Sequence, residues 1–111
     1  MKENQDALVL KNKPNLGDFQ SYVRAMVRVR GFEGETISQL FMMLSEETGE
    51  MAKAARKHAK IKIDENSDKP ELAFEIADVF IYLLAICNYF DIDLEKAFRD
   101  KEEINKKRIW K

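Results

Sequence analysis

Apolar positions along the chain recur at helical intervals and are broken by short polar or turn-forming stretches, a pattern that predicts four helices and no strand. Leu16, Phe19, Val23, Met26 or Val27, and Arg30 follow one helical stripe beginning near Asn15. Gly31-Phe32-Glu33-Gly34 then supplies a turn. Thr36 and Gln39 match a capping box at the start of a second helix that runs to roughly His58. The polar stretch from Lys60 to Lys69 reads as a connection, and Pro70 suits the first turn of a third helix extending to about Phe90. Asp91-Ile92-Asp93 makes a short link with Asp93 as cap, and a fourth helix runs from Leu94 towards Trp110. Residues 1–14 read as a loosely held arm and 15–111 as one helical domain. The fold class expected is all-α, a four-helix bundle, with Trp110 covering its open end.

Two places interrupt the hydrophobic pattern in a way that solvation does not explain. Met43, Glu47, Glu50 and Ala54 form one stripe, so two acids share a face with core-type residues. From Leu72 to Phe90, Glu75 and Asp78 are the only charged side chains in an otherwise apolar helix. An ionised carboxylate taken out of water costs several kcal/mol, so such groups find a counter-charge, bind a metal, or take up a proton. Both pairs are spaced i, i+3 and present their oxygens one turn apart on one side of a helix. If the two helices face each other, four hard oxygen ligands meet, a donor set suited to Mg²⁺, with Mn²⁺ as a substitute. The competing structural explanation is a set of salt bridges to Lys and Arg.

Length and charge narrow the picture. At 111 residues the chain is at the short end of what buries a core alone, which favours a homodimer or homotetramer. With 19 basic and 20 acidic residues there is no global field to draw it to a nucleic acid polymer or an anionic membrane. The single cysteine, Cys87, excludes an intrachain disulfide framework and reads as core filling. No hydrophobic signal region opens the sequence, and the longest unbroken apolar run, Val79 to Cys87, is short for a bilayer, so a cytoplasmic protein is expected.

The stretch Leu44-Ser45-Glu46-Glu47-Thr48-Gly49-Glu50, followed after 24 residues by Glu75-Ile76-Ala77-Asp78, resembles the MazG-like all-α nucleoside triphosphate pyrophosphohydrolases. The resemblance extends from about Leu16 to Trp110 and includes Ala77 to Leu84 and the downstream Phe98, Lys101, Asn105 and Arg108. It implies hydrolysis of a nucleoside triphosphate to monophosphate and pyrophosphate, with Mg²⁺ held by Glu47, Glu50, Glu75 and Asp78. Glu46, about 100° around the helix from Glu47, is then a candidate to orient or deprotonate water, to hold a second metal, or to face solvent, and Glu47 shares the catalytic role. Lys101, Asn105 and Arg108 follow one stripe with Leu94 and Phe98 and would meet triphosphate oxygens. Lys53 is a further phosphate contact, and Tyr82 would border base or sugar. Asn88 is placed either at the base pocket or in a cap or subunit bridge, and His58 at a solvated helix end. Unlike tandem-domain members, the chain has one cluster of each type, so a site shared between subunits is expected.

Two other function classes compete. A di-iron carboxylate bundle needs two Glu-x-x-His motifs, and the lone His58 lies outside both acid clusters. A non-catalytic partner protein could retain the carboxylates in an oligomerisation module.

Overall fold

The computed structural model describes residues 5–61 and 71–110. It contains a 3-10 turn at Gln5–Ala7 and four α-helices: α1 (Leu16–Val29), α2 (Ile37–His58), α3 (Leu72–Tyr89) and α4 (Leu94–Lys106). No strand occurs among the described residues. The all-α class expected from the hydrophobic periods is what is observed, while Pro70 and most of the polar connection before it lie outside the described residues.

Local chemistry sets the helix starts. Asn15 Oδ1 accepts the Asp18 amide at 2.8 Å, and the Asp18 carboxylate accepts the Asn15 amide at 2.9 Å. Thr36 Oγ1 and Gln39 Oε1 exchange the same pair of bonds at the head of α2. At α4, Asp93 Oδ1 accepts the Lys96 amide at 3.1 Å.

Three helix ends share one device. After α1, the amide of Phe32 donates to the Val27 carbonyl and that of Gly31 to Arg28. After α2, Ile61 donates to Arg56 and Lys60 to Lys57; after α3, Ile92 donates to Cys87 and Asp91 to Asn88. Each is a Schellman termination, with a left-handed residue followed by an apolar one. Gly31 takes that conformation at φ 77° without steric cost, whereas Lys60 (φ 60°) and Asp91 (φ 54°) hold it despite a Cβ.

The fourth helix ends earlier than its periodicity predicts. It stops at Lys106, where the Lys107 amide turns back onto Ile104 and Asn105. Arg108 therefore leaves the helical stripe: the Trp110 indole Nε1–H donates to the Asn105 carbonyl at 3.3 Å, and the Arg108 guanidinium lies 4.7 Å from the Trp110 ring centroid. Trp110 is 70% exposed, so it does not cover the end of a bundle as expected. Its ring instead supports Arg108.

The chain divides into two compact units: residues 1–34 with 87–111, and residues 35–86. In the first, α1 packs on α4, and Val23, Met26 and Val29 of α1 are buried, as is Cys87, a core filler. Its polar centre is Gln20, which is buried and fully engaged. Gln20 Nε2 donates to Asn88 Oδ1 at 3.2 Å and to the Ile92 carbonyl at 2.8 Å, while its Oε1 accepts the Leu94 amide at 2.9 Å. Asn88 Nδ2 donates back to the Gln20 carbonyl at 2.9 Å, and Arg24 adds a longer bond to Asn88. Asn88 is thus a tie between α1 and the end of α3. In the second unit, Leu40 and Ala54 of α2 and Leu84 and Ala85 of α3 are the buried apolar residues.

Candidate metal centre

The second unit carries the carboxylates. Glu47 projects from α2 and Glu75 and Asp78 from α3, and one oxygen from each lies within 4.8 Å of the other two. Leu40, Ala54 and Glu47 share a side of α2 by helical spacing, so the packing that buries the first two directs Glu47 inward. Glu47 and Glu75 are half-buried.

Electrostatics make this arrangement demanding. The Glu47 carboxyl is held above its ordinary range, first by burial and then by the charges of Asp78, Glu75, Glu46 and Glu50. None of the ion pairs formed among the described residues engages Glu47, Glu75 or Asp78. Among the described residues, a salt-bridge explanation finds no partner for the three acids in those pairs. Three convergent carboxylate oxygens with surplus negative charge fit a hard divalent cation of the Mg²⁺ or Mn²⁺ kind, which would be held by six oxygens with water completing the set.

The remaining candidate residues distribute as follows. Glu50 is exposed and stands outside the convergent trio, although its charge reaches Glu47. Glu46 is exposed and acts on both Glu47 and Tyr82. Lys53 is exposed on α2. Tyr82, half-buried one turn beyond Asp78, keeps its hydroxyl proton more firmly than usual because of burial and then the charges of Glu35, Glu47, Asp78 and Glu46. Glu35 was not foreseen as part of this environment. It immediately precedes the Thr36 cap, in a turn where no periodicity ties it to the acid pairs.

Lys101 and Asn105 lie in the other unit, on α4, where they line a shallow cavity of about 270 Å³ with Leu94, Ala97, Phe98 and Glu102. Asn105 Oδ1 is buried there without a hydrogen-bond partner. Arg108 is beyond the helix end, over Trp110. Asn88 is occupied by Gln20 and Arg24, which favours its structural role over a base pocket. His58 is exposed at the end of α2.

By length and composition α3 alone could cross a membrane: it has 18 residues at a mean hydropathy of 1.6, and is the one such helix among the described residues. It also carries Glu75 and Asp78, whose partner Glu47 stands on α2.

No curated protein and no solved structure matched the chain. The MazG nucleotide pyrophosphohydrolase domain matches residues 35–109, which take in α2, α3, α4 and every acid of the trio and leave α1 outside. With that match over well more than half of its length, the chain belongs to the MazG nucleotide pyrophosphohydrolase family.

Proposed function

We propose that the protein is a Mg²⁺-dependent nucleoside triphosphate pyrophosphohydrolase that cleaves the α–β phosphoanhydride bond, releasing nucleoside monophosphate and pyrophosphate in the cytoplasm. The observation that carries this reading is the convergence of Glu47, Glu75 and Asp78 in a chain of the MazG family.

In this reading Glu47, Glu75 and Asp78, joined by Glu50, hold Mg²⁺, and Mn²⁺ substitutes for it. The cation, when bound, compensates triphosphate charge and acidifies a water. Glu46, or Glu47 itself, would orient an attacking water and accept its proton as the oxygen adds to the α-phosphorus. Pyrophosphate departs with the electron pair of the broken P–O bond. Lys101, Asn105 and Arg108, with Lys53, bind the polyphosphate, since phosphoryl chemistry depends mostly on positioning and charge compensation. Tyr82, whose hydroxyl stays protonated, donates a hydrogen bond to base or sugar.

The test is a panel of ribo- and deoxynucleoside triphosphates assayed with Mg²⁺ or with chelator, distinguishing pyrophosphate from orthophosphate. Mg²⁺-dependent pyrophosphate with equimolar monophosphate is expected. No turnover across the panel would leave a non-catalytic helical partner protein as the better description.

A further inference from the structure

One carbonyl gathers the chain that follows α4. The Arg108 amide donates to the Asn105 oxygen at 3.1 Å, and the Trp110 indole Nε1–H donates to the same oxygen at 3.3 Å. Residues 108 and 110 would stand about 200° apart on a continuing helix. The turn brings them together instead, with the Arg108 guanidinium 4.7 Å from the centroid of the Trp110 ring.

Core packing does not account for this contact. The Trp110 ring is 70% exposed and Ile109 85%. Among the described residues Arg108 enters no ion pair, and its guanidinium makes no hydrogen bond. Stacking occupies one face of a guanidinium, whereas its N–H donors lie in the plane and leave by the edge, in a fork that matches two phosphate oxygens. An arginine lying on a ring can therefore bind phosphate without leaving it. It has also already given up rotamer freedom that a loose arginine loses only on binding.

We infer that Trp110 is a positioning residue for the polyphosphate: tied to the Asn105 carbonyl, its ring holds Arg108 with the N–H edge open to the phosphate oxygens. The inference deepens the proposed function and rests on its assignment of Asn105 and Arg108 to the polyphosphate. Trp110 is the one residue that touches both, through the backbone of the first and the side chain of the second.

Isothermal titration calorimetry of the full chain with inorganic tripolyphosphate in excess Mg²⁺ tests this without turnover. Trp110→Ala should weaken binding about two- to fivefold, the range of an exposed cation–π contact. Trp110→Phe, which keeps a ring face, should recover at least half of that loss. In an Arg108→Gln background, Trp110→Ala should cost nothing further, whereas a merely structural tail contact would cost the same in both backgrounds. Far-UV circular dichroism should be unchanged throughout, since both side chains lie beyond the helix end.

Wild-type affinity of Trp110→Ala for tripolyphosphate overturns the inference, and a loss confined to nucleoside triphosphates would assign the ring to the base. A loss that persists undiminished in Arg108→Gln overturns it as well, as does a wild-type chain that binds no tripolyphosphate. A chain that shows the coupling but releases pyrophosphate from no nucleotide keeps this inference and loses the proposed activity. A chain that turns nucleotides over without the coupling does the reverse.

Discussion

Glu47 on α2 and Asp78 on α3 bring carboxylate oxygens within 4.8 Å of each other, and Glu75 shares the same volume. Like charges at that separation repel unless a cation or a proton intervenes. A cation bound only by the folded chain must therefore stabilise it. At a Mg²⁺ concentration a hundredfold above the dissociation constant the gain is about 2.7 kcal/mol, and the melting temperature should rise by on the order of ten degrees. Differential scanning calorimetry with Mg²⁺ and with chelator checks this, and Asp78→Asn should remove most of the shift.

Turnover separates the acids of the trio from the acid beside it. Glu75→Gln removes a convergent oxygen and should lower kcat at least a hundredfold. Glu50→Gln should also abolish measurable turnover with the helical circular dichroism spectrum intact, provided Glu50 completes the metal site as proposed. Near-wild-type pyrophosphate release from Glu50→Gln would remove Glu50 from that site and leave Glu47, Glu75 and Asp78 as its carboxylates.

The raised Glu47 carboxyl has a sign that calorimetry can read. A carboxyl that binds its proton more tightly when folded makes the folded state proton-rich relative to the unfolded chain. Stability then falls as pH rises from the ordinary value of 4.5 to the raised one, and the loss is complete above it. Metal-free protein should show this decline through the window just above 4.5, and Glu47→Gln should flatten it. Saturating Mg²⁺ should reverse it, because the ionised form is the one that binds.

Gln20 tests the other unit. Gln20→Ala would strand the Leu94 amide and remove the bonds to Ile92 and Asn88. A buried donor left unpaired costs about 1–3 kcal/mol, so chemical denaturation should show a loss of that size. The Mg²⁺-dependent stabilisation should persist, since the trio belongs to residues 35–86.

Lys60, at φ 60° in the termination of α2, offers a gain. Lys60→Gly should stabilise the chain by about 0.5–1 kcal/mol, the relief of left-handed strain being offset in part by the greater freedom of an unfolded glycine. Urea denaturation at equilibrium measures it.

Sequence alone determined the elements and their chemistry. Thr36 and Asp93 announce helix starts because a cap is a bond between residues three apart, and Glu47, Glu50, Glu75 and Asp78 announce themselves as acids in apolar stripes. Each of those signals is local, so each survives without knowledge of the fold. The end of α4 was less legible, since its polar pattern continues past Lys106 while the backbone turns and Trp110 bonds to Asn105. Only the tertiary structure decided which acids meet. Glu47, Glu75 and Asp78 converge while Glu50 remains exposed one turn away, and Asn88 is taken by Gln20. Periodicity fixes the side of a helix on which a residue stands, but the distance between oxygens on different helices is set by how deeply those helices pack, and no residue spacing within one helix contains that information.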